Sequence, residues 1–352
     1  DFGCGIYGSS MESTAICAVD RRWCAMSSKA IQKRTNSFDD KRIGQTLLSY
    51  AVPCVLLLIF ATVMFVKTEN PRGLIRAGVQ WMEVGSVAVV MTAIIITGGI
   101  DLSVGSMVAL CSVCIGVLWE DGQLSIQMAS ICAVAIGLVA GLLNGLLVVV
   151  GLSPLIVTLA TMAFYSGLAL ALSNAEPIGF TNELVMAMED TNLLFGYPLQ
   201  YYFFLIVLVL GYLLLHRCRI GRACFYIGEN MEAARYSAIS IEKAQMVLYG
   251  LSGLVAGIVA VLNTMYKLNA NPVAHEGMEL HVIACVVVGG TLITGGHGSI
   301  GRTLLGLLVV ASLDIGLNFL SSDFSWLNPQ VRLILTGCLV VAVAIWNQKV
   351  RN

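Results

Sequence analysis

The feature that most constrains this chain is a series of long apolar runs separated by short polar connections. A helix needs about 20 apolar residues to cross the hydrocarbon core of a bilayer, with a range of about 17–25. Runs of this kind fall at 47–66, 79–97, 104–119, 126–150, 154–172, 201–216, 244–266, 280–294, 303–320 and 331–347. An all-α integral membrane protein of about ten transmembrane helices is therefore expected. The runs 104–119 and 280–294 are short and abut the glycine pairs Gly98-Gly99, Gly289-Gly290 and Gly295-Gly296. Short, glycine-interrupted segments mark broken or re-entrant helices along a substrate path. Ile-Thr-Gly-Gly occurs at both 96–99 and 293–296, a weak internal echo.

Composition agrees with a membrane environment. Hydrophobic residues are 57% of the chain and charged residues 12%, with a mean hydropathy of +0.84. A soluble domain carries about 25% charged residues, so this chain could not cover its surface in water. The net charge of −1 argues against a nucleic-acid partner, which needs a basic face. Of the eleven cysteines, Cys54, Cys111, Cys114, Cys132, Cys285 and Cys338 sit inside apolar runs. They read as small core or lipid-facing residues, and neither a metal site nor a redox motif is expected. The mildly apolar start is interrupted by Asp20, Arg21 and Arg22, so it lacks the core of a signal peptide. Residues 1–45 are expected to form a poorly ordered cytoplasmic tail, ahead of a transmembrane domain over 46–352.

Lysine and arginine in the short connections orient the spans. Lys29, Lys33, Arg34, Lys41 and Arg42 precede the first run, and Lys349 and Arg351 follow the last. Arg217, Arg219, Arg222, Arg235 and Lys243 fill the 217–243 loop. The 173–200 loop holds Glu176, Glu183, Glu189 and Asp190 with no basic residue. Both termini and the 217–243 loop are therefore expected on the cytoplasmic side. Lys67, Arg72 and Arg76, placed in the first external loop, run against the pattern.

Gly296-His-Gly298-Ser-Ile-Gly301 matches a dinucleotide fingerprint and overlaps a phosphate-loop pattern, but both need a strand and a soluble βαβ unit around them. Its flanks here are membrane segments, so a tight cytoplasmic turn is expected, and no ATP site. In Thr97-Gly-Gly-Ile-Asp-Leu-Ser-Val-Gly105 the glycines let the backbone leave helical geometry. Asp101 or Ser103 then either caps the following helix or acts at membrane depth, where a carboxylate is a functional-site hypothesis. Asn144, Thr158, Thr161 and Ser166 line a polar path or hydrogen-bond between helices. Gly137, Gly141 and Gly145 form a small-residue packing face. Asp314 and Asn318 share a helix face, and His275 reads as an ordinary loop residue.

The 97–105 stretch is similar to the signature of the ribose/galactose-type permeases of ATP-binding-cassette sugar importers, which are related to the branched-chain amino-acid permeases. The similarity continues through Gly141-Leu-Leu-Asn144-Gly-Leu-Leu, Pro154-Leu-Ile-Val-Thr-Leu-Ala-Thr161-Met and Ile227-Gly-Glu-Asn-Met-Glu-Ala-Ala-Arg235. It runs on through Leu251-Ser-Gly-Leu254 and Glu279-Leu-His-Val-Ile-Ala-Cys-Val-Val-Val-Gly-Gly-Thr291, covering about residues 45–350.

The resemblance implies a non-catalytic, cofactor-free membrane subunit of the bacterial inner membrane. It would pair with a second permease copy and a cytoplasmic ABC ATPase, and receive a small sugar from a periplasmic sugar-binding protein. On this reading Asp101, Ser103, Asn144, Thr158, Glu279 and Asn318 mark the substrate pathway. Gly228, Glu229, Asn230, Glu232, Ala233, Ala234 and Arg235 form a short helix, within the 217–243 coupling loop, that docks on the ATPase. The chain departs from the family's usual residues at Glu229 and Ala238, where glycine is usual, at His281, where an acidic residue is common, and at Arg302, another usual glycine. The competing expectations are an ion-coupled secondary transporter, with Asp101, Glu279 or Asp314 as relay, and a permease for another solute such as autoinducer-2 or a branched-chain amino acid.

Overall fold

The computed structural model describes residues 71–321 apart from 121, 123, 181–192 and 195, with isolated positions on either side. All of these lie in one unit, residues 53–347. The expected tail and most of the runs 47–66 and 331–347 lie outside the described residues, as do Glu183, Glu189 and Asp190.

The described chain is a helical bundle. Its helices are α1 Pro71–Ile96, α2 Val104–Glu120, α3 Ile126–Val149, α4 Pro154–Leu172, α5 Leu199–His216, α6 Arg219–Glu229, α7 Met231–Tyr236, α8 Ile241–Lys267, α9 Met278–Val288 and α10 Ile300–Leu320. Helices close their backbone hydrogen bonds within the segment, as a hydrocarbon solvent demands. Six of them, α1, α3, α4, α5, α8 and α10, are long and apolar enough to cross a membrane, while α2 and α9 are shorter apolar helices. The eight expected runs between 79 and 320 each correspond to one of these helices. Two boundaries move. Proline suits the first helical position, where its missing N–H costs nothing, and α1 begins at Pro71. Arg72 and Arg76 therefore lie in the first turns of α1 and not in a loop. The run 280–294 becomes the 11-residue helix α9, about 17 Å long, which stops at Gly289-Gly290.

Two-residue antiparallel bridges supplement the helices. β1 Ile178–Gly179 pairs with β4 Asn269–Ala270, Ile178 opposite Ala270, and β2 Leu193–Leu194 pairs with β3 Tyr197–Pro198. Trp119 at the end of α2 packs at a tilt against Phe180, with ring centroids 5.0 Å apart, and the Phe180 amide donates to the Leu268 carbonyl. The ends of α2 and α8 thus meet at one pole of the bundle.

The tightest helix pair is α3 with α8, and glycine is the reason. A Cβ at Gly141 would overlap the Tyr249 carbonyl, and one at Gly253 would overlap the Gly137 carbonyl. The two backbones therefore touch directly, the geometry that small residues allow in membrane helix pairs. Hydroxyl pairs fix other helices: Ser112 with Thr264 and Thr92 with Thr303, both at 2.7 Å. Cys111 and Cys114 have the C-x-x-C spacing of redox and zinc motifs, but both are free thiols buried in α2. No cluster of metal-ligating side chains occurs among the described residues.

Candidate functional site

The unwound stretch 97–103 between α1 and α2 organises the polar centre. Gly98, at φ +81°, turns the chain out of α1, and Asp101 is carried into the interior with no exposed surface. Its carboxyl oxygen Oδ1 accepts from the Ser103 amide at 3.0 Å and the Ser103 hydroxyl at 2.7 Å. Oδ2 accepts from the Ser252 hydroxyl of α8 at 2.8 Å. The Ser103 oxygen in turn accepts from Asn144 Nδ2 of α3 at 2.7 Å. The Tyr165 hydroxyl of α4 lies 3.0 Å from the Ala140 carbonyl and 3.4 Å from Asn144 Oδ1. Thr158, also on α4, donates to the Ile100 carbonyl at 3.2 Å. Four of the expected pathway residues, Asp101, Ser103, Asn144 and Thr158, therefore converge. They converge as a sealed knot joining the unwound stretch to α3, α4 and α8, each with essentially no exposed surface. Asp101 also spends its bonds on Ser103 and Ser252 and not on the first-turn amides of α2, so it is a brace between helices more than a helix cap.

Glu279 belongs to a second feature beside the knot. A cavity of about 260 Å³ is walled by Gly105, Ser106 and Ala109 of α2, by Met162, Ala163 and Ser166 of α4, and by the turn leading into α9. Ser106 connects the two features, donating from its hydroxyl to the Ser103 carbonyl at 2.8 Å. Gly105 permits the wall to close, because a Cβ there would stand 2.6 Å from the His275 carbonyl and 2.7 Å from Glu279 Oε2. Polar groups of the wall come from Ser106, Ser166, His275, Glu276 and Glu279. His275 is 7% exposed, and neither of its ring nitrogens has a hydrogen-bond partner among the described residues. Burial, helped by the Lys267 charge, pushes its imidazole down to about 3, so the ring is neutral. His281, where the family commonly has an acid, packs edge-on against Trp81 at 5.5 Å. Asn318 is exposed on α10, outside the knot, and it does not line this cavity.

The 217–243 segment folds as α6 and α7. Asn230 starts α7 by accepting the Ala233 amide on its Oδ1 at 3.0 Å, the usual chemistry of an asparagine cap. The two alanines then part. Ala234 is buried against Ile227, Ile241 and Ala244, whereas Ala233 is exposed. Glu229, Glu232 and Arg235 are exposed as well. A surface hollow of about 280 Å³ runs beside α7, lined by Tyr226, Glu229, Asn230, Ala233 and Ser237 among others. Ala238, where the family usually has glycine, sits at φ +57°, a conformation that side chains resist.

Gly228 ties this segment to the bundle. A Cβ on it would overlap the Ile96 carbonyl and the Gly296 amide, and the Gly296 amide donates to the Ile96 carbonyl at 2.9 Å. The two copies of Ile-Thr-Gly-Gly thus meet each other on Gly228. Gly295 and Gly296, at φ +91° and +77°, make the expected tight turn before α10.

One interior carboxylate went unread in the sequence. Glu83 of α1 is 2% exposed, and its Oε2 accepts from Asn263 Nδ2 of α8 at 2.7 Å. A lone acid inside the run 79–97 was the available signal.

Six helices long and apolar enough to cross a membrane, packed around an unwound polar centre, make the chain a multi-pass membrane protein. The family model described as branched-chain amino acid transport system / permease component matches residues 75–344, and the chain belongs to that family. It is 35% identical over 269 residues to the autoinducer 2 import system permease protein LsrD of Yersinia enterocolitica serotype O:8 / biotype 1B, across 74% of this chain and 79% of that relative. It is 34% identical to the LsrD protein of Klebsiella pneumoniae subsp. pneumoniae, across 83% and 89%. For that of Salmonella paratyphi A the identity is 33%, across 84% and 91%. No solved structure matches. The chain is a permease subunit of an ATP-binding-cassette importer.

Proposed function

We propose that this permease carries a small, hydroxyl-rich solute, autoinducer-2 or a sugar of similar size, across the bacterial inner membrane. It acts with a second permease copy, a cytoplasmic ATPase that hydrolyses the nucleotide, and a periplasmic binding protein that delivers the solute. Both termini and α6–α7 face the cytoplasm, in line with the basic residues at 29–42, 217–243 and 349–351. The relatives are named as autoinducer 2 import permeases, and a cavity wall bearing serine hydroxyls and carboxylates suits a ligand rich in hydroxyl groups. The solute passes through the cavity beside Glu279, while the Asp101 knot holds the surrounding helices in register.

The observation that carries this reading is the Gly228 junction. The exposed face of α7 and its hollow offer a docking place for another subunit. A displacement there reaches Ile96 and Gly296 through direct backbone contact, and through them the ends of α1 and α10. Energetic coupling needs such a contiguous route.

The test is ATP-driven uptake into proteoliposomes by the assembled importer, with autoinducer-2, D-ribose and L-leucine as solutes. Uptake of autoinducer-2 or ribose, lost together with solute-stimulated ATP hydrolysis in Ala233→Trp, is the expected result. Ala233 is the informative position because Ala234→Trp would disrupt the permease's own packing. Leucine as the only transported solute, or normal uptake by Ala233→Trp, would count against it.

A further inference from the structure

His275, on the wall of the cavity, is a side chain more than nine-tenths buried whose ring nitrogens, Nδ1 and Nε2, have no partner among the described residues. Other polar groups nearby behave differently: Ser106 on the wall is engaged with Ser103, and His281, outside the lining, has its Nδ1 3.1 Å from the Gly277 carbonyl. A buried polar group without a partner is costly, and such a group persists in a fold when something outside the fold satisfies it. A neutral imidazole presents one donor and one acceptor, which is the complement of a hydroxyl group.

We propose that His275 is a specificity-determining residue of the cavity, hydrogen-bonding a hydroxyl of the transported solute from the turn at 271–277 while Glu279 accepts from a neighbouring hydroxyl. This rests on the reading of the cavity as the solute path. The pairing of a neutral ring with a carboxylate selects for vicinal hydroxyls and against apolar amino-acid side chains, because a site built to hydrogen-bond a hydroxyl strongly rejects a ligand lacking it. The ring keeps its neutral form across the range in which bacteria grow, held there by burial, so recognition by His275 does not titrate between pH 5 and 8.

The test uses the assembled importer in proteoliposomes and two variants of the same residue. His275→Gln keeps a donor and an acceptor, and His275→Leu keeps the bulk with neither. Autoinducer-2 uptake is expected to fall about tenfold in His275→Leu and to stay within about threefold of wild type in His275→Gln. The melting temperature of His275→Leu is expected to be unchanged or higher, since an unpaired buried polar group has been replaced by an apolar one. A residue with only a structural role would give the reverse, with uptake and melting temperature falling together. Normal uptake by His275→Leu, or a loss of uptake that tracks a loss of stability, would overturn the proposal. Failure of the underlying path reading is separately visible. A thiol at Ala163→Cys, on the same cavity wall, should be modified by a small polar reagent, and autoinducer-2 should slow that modification. Absence of protection overturns both readings, whereas protection with normal His275→Leu uptake overturns only the role of His275.

Discussion

The Asp101 knot and the His275 cavity adjoin each other, linked by the hydrogen bond from Ser106 to the Ser103 carbonyl, yet their polar atoms are used in opposite ways. In the knot both carboxyl oxygens of Asp101 are engaged, by Ser103 and Ser252, and Asn144 and Thr158 are tied in behind them. In the cavity a buried imidazole keeps both nitrogens without a partner among the described residues. A satisfied buried network rigidifies and specifies one arrangement, whereas an unsatisfied buried group lowers stability and is left open to a partner from outside the fold. Depth and polarity alone would have assigned both to the same role. Their hydrogen bonding separates a brace from the wall proposed to meet the solute.

The largest effect that would break this contrast is expected at Asp101. Asp101→Ala strands the hydroxyls of Ser103 and Ser252 together with the Ser103 amide, each a group whose burial without a partner costs about 1–3 kcal/mol. A destabilisation of about 3–5 kcal/mol is expected, seen as loss of a cooperative thermal transition in detergent. Asp101→Asn keeps one carbonyl acceptor and should lose less than half of that. A folded, fully stable Asp101→Ala protein would remove the knot from the account.

Next in size is the helix pair on which the knot is hung. Gly141→Val or Gly253→Val must push the α3 and α8 backbones apart, and overpacking of this kind costs about 1–3 kcal/mol. Gly167, which has nothing within reach of an added Cβ, is the control: Gly167→Val should melt within about 1 kcal/mol of wild type.

The cavity side is sharpened by pH. His275 has its folded value lowered to about 3 from a usual value near 6.5. The unfolded chain takes up the proton first as pH falls, so protonation of His275 leaves stability untouched above about 6.5 and lowers it progressively below that, down to the folded value. Glu276 and Glu279 line the same wall, and the Lys267 charge also bears on the ring. Between pH 7.5 and 5 this loss is on the order of 1–2 kcal/mol, and it should be missing in His275→Leu. Parallel melting curves for the two proteins across that range would contradict the buried neutral ring.

The smallest effect concerns the coupling segment. Ala238→Gly relieves a left-handed backbone at φ +57° and should raise stability by about 1 kcal/mol. No gain would mean that the turn into α8 is not strained at this alanine.

The helices were legible because apolar length is a one-dimensional signal, and so were the glycine-pair breaks at 98–99 and 289–290, where the chain does leave helical geometry. Asn230 and the helix over 231–236 were also within reach, since a cap and the five residues of good helix propensity at 231–235 are local facts. The convergence of Asp101, Ser103, Asn144 and Thr158 was not, because no spacing in the chain says that α3, α4 and α8 meet at 97–103. The same holds for the two Ile-Thr-Gly-Gly copies, whose similarity was visible but whose contact through Gly228 is a tertiary event. His275 does lie in a connecting turn, as the sequence suggests, but its burial was not legible there. A connecting turn is ordinarily solvated, and only the packing of 271–277 against α2 buries this one.

Helix α4 offers the most direct test of the central claim, because it contributes to both regions. Thr158 of α4 is fully buried in the knot, and Ser166, two turns further on, lines the cavity. With other reactive cysteines replaced, Thr158→Cys and Ser166→Cys would be titrated with a small polar thiol reagent in the assembled importer, with and without autoinducer-2. Rapid modification is expected at 166, slowed by the solute, with none at 158 until the protein is unfolded. Comparable reaction at 158, with protection by the solute there, would contradict this and make the Asp101 knot part of the path.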